Sequence, residues 1–477
     1  MHCILTERVQ IGDCFGTKQG DETPMTEIFR EKHKQVFILF LVFIVLVRVV
    51  LFISSEPSMA GDTSGYERLA FHILELNLGE YDGERSAGYP LVIALSGVNY
   101  ELVMIFQMVM GIILSVALFH IAYLITNNTL LSLISGLFPT LYFPLLLFET
   151  VMLTETTASL CVGLSFLFLL LFHKSASGGK KQTWWLLLAG ITSSFAALNK
   201  PVLIMVPLCF GLYLVFRGGK VLDVLRKPKL SSIVVFSMPV VLLVGSWIFV
   251  IYHSTGQLGL TTATGFSLMG RADDLIENLP ESNPDIEYYG LLREIYLSER
   301  DKNQEDKWST IWAARKVMQE KTGLKYHELS NLVRKMAIAT IANAPLKYVK
   351  EFIKGYVRFW RPTILIGDTP RILKIISKYV ERVVLGLLVV LFHLFFLLYI
   401  ASKKFRERFK NLDQTPRIFL KMAYAVLLMM SIFQALLVHS LPRFSVTVDS
   451  ILVVTTLFIV WYLYTVKKKV RDTFSQG

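Results

Sequence analysis

Ten apolar runs divide this chain, at residues 36–53, 101–125, 129–147, 151–172, 184–198, 201–216, 231–252, 382–402, 418–438 and 446–466. A helix needs about 20 mostly apolar residues to cross the hydrocarbon of a bilayer. Only helices and closed barrels keep every backbone polar group paired there. The runs predict an all-α polytopic membrane protein. Composition agrees: 53% of the 477 residues are hydrophobic and 18% are charged, against about 25% charged in ordinary soluble domains. Mean hydropathy is +0.51 over the whole length. That balance excludes a disordered chain, a coiled coil and a disulfide scaffold. The fifth and sixth runs are short, and Asn199-Lys200-Pro201 between them predicts a broken hairpin.

The net charge of +12 is concentrated in short loops between apolar runs. It is therefore read as membrane topology, with no nucleic-acid partner expected. With the N-terminus in the cytoplasm, three basic loops fall on one side. They are Lys174/Lys180/Lys181, Arg217/Lys220/Arg226/Lys227/Lys229 and Lys403/Lys404/Arg406/Arg408/Lys410/Arg417, and the tail with Lys467, Lys468, Lys469 and Arg471 joins them. Residues 1–35 are polar, carry no cleavable signal and form a cytoplasmic segment. Residues 1–24 hold no usable pattern, which makes Met25 a candidate start alongside Met1. Cys3, Cys14, Cys161 and Cys209 have no metal-binding or redox spacing.

The expected organisation is a transmembrane catalytic module at 36–252 that includes a first outer loop at 54–100. An outer helical segment at 253–381 follows, then C-terminal transmembrane helices at 382–466 and a cytoplasmic tail at 467–477. The first loop is acidic, with a short surface helix at 64–79. Helical spacing of apolar residues recurs at 291–320 and 326–341. Residues 347–360 carry lysines beside Tyr348, Phe352, Tyr356, Phe359 and Trp360, a pattern suited to a juxtamembrane helix at the interface. There is no P-loop, GxGxxG, HExxH or GxSxG. Any chemistry must come from span ends and outer segments.

The first outer segment reads Gly61-Asp62-Thr63-Ser64-Gly65-Tyr66-Glu67-Arg68, then Tyr81-Asp82-Gly83-Glu84-Arg85-Ser86-Ala87-Gly88-Tyr89-Pro90. Thr154-Glu155 stands at the fourth run and Lys200-Pro201 at the break. Trp247 precedes Tyr252-His253-Ser254-Thr255-Gly256, an aromatic stretch runs from 343 to 362, and His439-Ser440-Leu441-Pro442-Arg443-Phe444 precedes the last run. In this order the pieces resemble the GT-C class of membrane glycosyltransferases, in particular the dolichyl-phosphate-mannose–protein mannosyltransferase-like and aminoarabinose-transferase-like families. The resemblance spans most of 36–465. His253 stands where many relatives have Asn and Phe444 where they have Tyr, which leaves the subfamily and the acceptor open.

The resemblance implies a GT-C-like bundle of about ten or more transmembrane helices with extracytoplasmic juxtamembrane helices. It also implies an inverting transferase that takes a sugar from a polyprenyl-phosphate donor to a lipid, cell-wall glycan or protein. Such chemistry needs a carboxylate for the acceptor hydroxyl and cations for the departing phosphate. Asp62 and Glu155 are the expected catalytic carboxylates. Arg85, Lys200 and Arg443 are the expected phosphate ligands, and arginine suits phosphate through its paired N–H groups. Tyr66 and Tyr89 are expected to line the substrate pocket. Glu84 and His253 match positions that share a metal in aminoarabinose transferases, so a divalent ion is the one cofactor raised. Plainer readings stand beside these. Asp62 suits a helix N-cap, Arg85 a surface ion pair, and Arg443 an interfacial anchor. The outer segment 253–381 is expected to cover the site. Rival functions are a secondary transporter and a non-catalytic lipid-binding subunit of the same fold. The expected compartment is the plasma membrane, ahead of the endoplasmic reticulum.

Overall fold

The computed structural model describes residues 24–175, 180–216, 227–302, 307–361, 375–410, 412–439 and 442–474. Cys3, Cys14, the basic positions between 217 and 226, Pro362 and the pair Ser440-Leu441 lie outside them. Among the described residues the architecture is all-α, and its only extended pairing is an isolated bridge between Ser58 and Val151. The helices are α1 (Pro24–Ser54), α2 (Thr63–Leu74), α3 (Gly88–Leu95), α4 (Tyr100–Thr126), α5 (Thr129–Leu141), α6 (Phe143–Leu147), α7 (Glu155–Lys174), α8 (Lys180–Asn199) and α9 (Met205–Phe216). They continue with α10 (Lys227–Thr255), α11 (Thr264–Ala272), α12 (Tyr289–Lys302), α13 (Lys307–Thr322), α14 (Tyr326–Asn343) and α15 (Pro345–Phe359). The last four are α16 (Arg382–Ala401), α17 (Lys403–Arg408), α18 (Gln414–Leu437) and α19 (Val446–Phe474).

Seven helical stretches are long and apolar enough to cross a bilayer: His33–Ser54, Tyr100–Thr126, Glu155–Lys174, Leu230–Thr255, Ser377–Ala401, Gln414–Leu437 and Val446–Lys468. The chain is thus a multi-pass membrane protein. The other three expected spans are lesser helices. Thr129–Leu141 and Pro201–Phe216 are apolar but short, and α8 is diluted by Gly190, Thr192, Ser193 and Ser194. The run at 129–147 is not one helix: it breaks at Tyr142, which is extended (φ −86°, ψ 97°) and stands two residues before Pro144. The run at 151–172 starts later than expected, because residues 150–152 pair with Ser58 and α7 begins at Glu155. The hairpin at 199–201 is broken as expected. Asn199 ends α8, and Pro201–Ile204 forms a 3₁₀ turn into α9.

Helices α4, α5, α7, α8, α9, α18 and α19 share the main apolar core, where Phe166, Phe210 and Phe419 meet edge to face. A second core joins α11 to α14 around Phe266, Leu292, Tyr296 and Leu329. The helical spacing read over 291–320 falls on α12 and α13. This outer unit docks on the first loop through backbone bonds. The Thr262 amide donates to the Gly83 carbonyl at 2.8 Å, and the Thr261 hydroxyl donates to the Glu84 carbonyl at 2.7 Å.

Candidate functional site

Asp62 occupies the residue before α2, yet its side chain makes no capping bond to that helix. Its carboxylate is held elsewhere. Arg85 Nη2 donates to Oδ1 at 2.9 Å, and Arg443 Nη2 donates to Oδ2 at 2.6 Å. Two guanidiniums from positions 358 residues apart (443 − 85) therefore share one carboxylate. The side chains are 26%, 19% and 29% exposed for Asp62, Arg85 and Arg443, so the cluster is neither sealed nor freely solvated. The Arg85 guanidinium also lies 5.1 Å from the centre of the Tyr66 ring. A Cβ at position 65 would stand 2.8 Å from Arg85 Nε, so Gly65 is what lets this side chain lie across α2. The turn carrying Arg85 is fixed by Tyr81, whose hydroxyl accepts from the Arg85 amide and donates to its carbonyl at 3.0 Å.

A second ion pair stands beside the first. Lys200 Nζ donates to Glu155 Oε1 at 3.0 Å, with both side chains largely buried. Glu155 opens α7, where a carboxylate is favoured by the helix dipole. Phe444 links the pairs, since Lys200 Nζ lies 5.6 Å and the Arg443 guanidinium 5.4 Å from its ring centre. Close packing sets this distance. A Cβ at position 88 would come within 2.5 Å of the Asn199 amide nitrogen, so only glycine lets α3 approach the end of α8. Asp62, Arg85, Glu155, Lys200 and Arg443, nominated from sequence, thus meet at one end of the bundle.

Two further arginines were not nominated. Glu84 lies 3.6 Å from Arg85, 3.3 Å from Arg68 and 3.5 Å from Arg315. Arg315 comes from α13 in the outer unit, with its guanidinium 5.2 Å from the Tyr326 ring centre. Its only sequence signal is a basic residue on a half-buried helix, which resembles any solvated lysine or arginine until the outer unit is docked. Five cations (Arg68, Arg85, Lys200, Arg315, Arg443) surround four carboxylates (Asp62, Asp82, Glu84, Glu155), Asp82 lying 3.6 Å from Arg68, which leaves one positive charge in excess. The Nε atoms of Arg85, Arg315 and Arg443 and Oε2 of Glu155 are buried without hydrogen-bond partners, a costly state for polar groups.

Burial acts to raise the Asp62 pKa, but the Arg85 and Arg443 guanidiniums outweigh it and hold the carboxyl below the usual carboxylate range. Burial opposes the charge on Arg443, and the Glu155 and Asp62 carboxylates more than compensate. Tyr66 is pushed up by burial and stays a neutral phenol.

Two expectations need correction. Tyr89 does not line a pocket. It is fully buried, packs edge to face on Tyr66 at 5.3 Å, and donates to Gln107 Oε1 at 3.1 Å. Glu84 and His253 do not come together as a metal pair. Ile251 packs towards Gly83, and His253, two residues on, lies about 200° around the same helix. There it is exposed beside Phe249. Glu84 is moreover ringed by guanidiniums, which repel a cation. No group of three or more metal-ligating side chains occurs among the described residues, so no step is derived through a metal. Glu149 is buried and accepts from Arg48 Nη2 at 2.7 Å, while Arg48 Nη1 donates to Thr140 Oγ1 at 2.8 Å. The signal was available: Arg48 interrupts an otherwise apolar span, and such a residue needs a partner in the protein interior.

Residues 89–247, a third of the chain, match the family model of the dolichyl-phosphate-mannose–protein mannosyltransferases. The matched family is one of those that the ordered motifs resemble. Among solved structures, ArnT from Cupriavidus metallidurans, bound to undecaprenyl phosphate, aligns with 88% of this chain and 76% of its own. The identity is 12% and the TM-score 0.35, a likeness too loose to carry argument. No curated protein matches the chain.

Proposed function

We propose that this protein is an inverting glycosyltransferase that moves a sugar from a polyprenyl-phosphate donor to an acceptor at the extracytoplasmic face of the plasma membrane, with both termini in the cytoplasm. The observation that carries this reading is Asp62 held between Arg85 and Arg443 inside a cluster with excess positive charge. A sugar phosphoryl lipid brings the anion this cluster lacks. The donor phosphate takes N–H groups of Arg85 and Arg443, with Lys200 beside them, and Asp62 is left as a free carboxylate aimed at the acceptor. The acceptor hydroxyl attacks the anomeric carbon as the bond from that carbon to the phosphate oxygen breaks. The electron pair leaves with the lipid phosphate, where the guanidiniums stabilise it. The hydroxyl proton passes to Asp62. A single displacement inverts the anomeric centre. A carboxylate is a weak base beside an alcohol. It orients the hydroxyl first and takes the proton late, once the new bond has acidified it.

Glu155 holds Lys200 in the bundle and orients its ammonium. Tyr66 supports the Arg85 guanidinium from below. The outer unit of α11–α14 covers the site and adds Arg315 to its rim. The acceptor is a lipid, a cell-wall glycan or a protein. Mass spectrometry of surface lipids, glycans and proteins from cells with and without the gene tests the proposal. A difference of one sugar residue on one recipient class supports it and names both partners. Identical spectra, or sugar uptake into vesicles carrying the purified protein without a new glycosidic bond, reject it in favour of a scaffold or a transporter.

A further inference from the structure

A cavity of about 450 Å³ opens between α16, α17, α18 and α19, far from Asp62. Ile459 of α19 lines it. Arg443, which holds Asp62, lies just before the start of the same helix, so 16 residues at 1.5 Å each put the two places about 25 Å apart along one span. The cavity and the Asp62 cluster therefore lie in opposite halves of the bilayer, whichever face each adjoins.

The walls are aromatic: Phe396 stacks on Tyr424 at 5.4 Å, and Phe405 meets Phe409 at 5.2 Å. The rim is cationic, formed by Arg406, Lys410, Arg417 and Lys421, with no carboxylate among the lining residues. Arg406 and Arg417 each donate to backbone carbonyls, Arg406 to Tyr399 and Ile400, Arg417 to Lys410 and Leu412, which fixes their guanidiniums at the mouth. Two acids stand near this rim: Asp413, whose carbonyl accepts from the Arg417 amide at 3.2 Å, and Glu407. Glu407 reaches Lys410 at 3.6 Å, with both side chains about half exposed or more, and Lys421 forms no ion pair among the described residues. Next to the cavity α16 bears a continuous exposed apolar stripe: Val383, Leu387, Val390, Leu394 and Leu397 are between 45% and 67% exposed. A stripe of this kind suits contact with acyl chains, which puts lipid beside the cavity.

We infer that this aromatic, cation-rimmed cavity is a binding site for an anionic glycerophospholipid, with the phosphate on the Lys410/Lys421 rim and an acyl chain between Phe396, Phe405 and Tyr424. Basic pockets between spans at headgroup depth suit anionic lipids, because each nearby lysine or arginine adds attraction to the phosphate. Aromatic side chains at that depth suit the boundary of headgroup and chain. The site owes nothing to the proposed transfer reaction. A lipid held there clamps α16 to α18 and α19, the span that carries the Asp62 ligand Arg443 at its other end.

The test uses the full-length protein and native mass spectrometry after exchange into detergent with phosphatidylglycerol, phosphatidylcholine or undecaprenyl phosphate as probes. The parent is expected to retain phosphatidylglycerol over phosphatidylcholine. The Lys410→Gln/Lys421→Gln variant is expected to lose that retention roughly tenfold, whereas Lys410→Arg/Lys421→Arg keeps it and so reports charge rather than misfolding. Equal retention of the two phospholipids, or an unaffected glutamine variant, overturns the inference. Displacement of phosphatidylglycerol by undecaprenyl phosphate that survives Arg443→Ala also overturns it, because the cavity is then a carrier site.

Discussion

Asp62→Asn keeps the side-chain shape and removes one charge from between two guanidiniums at 2.9 and 2.6 Å. The asparagine oxygen can still accept from one arginine, but its amide group then faces the other. One charge-assisted hydrogen bond is lost, worth about 1.5–3 kcal/mol. With Asp62 a quarter exposed, the lower end applies, about 1.5 kcal/mol of stability. The effect on chemistry is larger. A positioned proton acceptor contributes about 10²–10⁴-fold in rate, so kcat is expected to fall by that range. Donor affinity is expected to hold or improve, because the arginines lose the anion that competes with phosphate. The assay is transfer from a polyprenyl-phosphate sugar by purified protein, with donor KM measured alongside kcat and a thermal melt in the same detergent. If Asp62 were a structural ion-pair partner only, the melt would drop while kcat stayed within about threefold of the parent. That outcome would refute the reasoning.

Other consequences are as specific. Gly88→Ala places a methyl 2.5 Å from the Asn199 amide, and it is expected to cost about 1–3 kcal/mol and to lower yield and melting temperature. An unchanged melt would show that α3 can move. Arg48→Ala strands the buried Glu149 carboxylate and is expected to destabilise by about 3–5 kcal/mol, whereas Arg48→Met/Glu149→Gln recovers most of it. Equal melts for the two variants would count against a buried pair. The folded Asp62 carboxyl titrates below its unfolded value, which is near 3.9. Its stabilising contribution is therefore fully present above that value and is lost as pH falls through the lower, folded one. The difference in melting temperature between parent and Asp62→Asn should be flat from about pH 5 to 8 and shrink only below about pH 4. A difference already shrinking at pH 6 would contradict the arginine-held carboxylate.

Much of this was legible in the sequence because the bilayer leaves a chain few options. Long apolar runs became helices such as α4, α10 and α19 at nearly the expected bounds. The site carboxylates and cations could be nominated because each stands at the end of a run or in the one acidic outer loop, where charge requires a reason. What escaped is what depends on tertiary approach. Tyr89 and Tyr66 sit in similar Gly-Tyr contexts, and only packing sends the Tyr89 hydroxyl to Gln107 while Tyr66 stays under Arg85. His253 and Ile251 share a helix, and its rotation, set by burial of Ile251 against the first loop, turns the imidazole away. Arg315 reaches Glu84 only because Thr261 and Thr262 dock the outer unit on residues 82–84. Short-range patterns locate such residues but do not orient them.

The balance of charge explains why a membrane bundle tolerates this cluster at all. Five cations and four carboxylates at one mouth would be costly if all were sealed in apolar surroundings. Here Asp62 and Glu155 each tie a cation to a different wall, Asp62 joining α2 to the segment before α19 and Glu155 joining α7 to the end of α8. The one uncompensated charge remains a fixed cost in the free protein. An anion that binds the cluster removes that cost and adds its own contacts, so ligand affinity and protein stability are linked by mass action. A ligand at 100 times its Kd should stabilise the fold by about 2.7 kcal/mol. Arg443→Ala, which deletes the excess charge, should raise the melting temperature of the free protein relative to that of the free parent while weakening phosphate-lipid binding. If the free variant instead melts far below the free parent, the Asp62 bond outweighs the repulsion, and the cluster is built for rigidity rather than held ready for an anion.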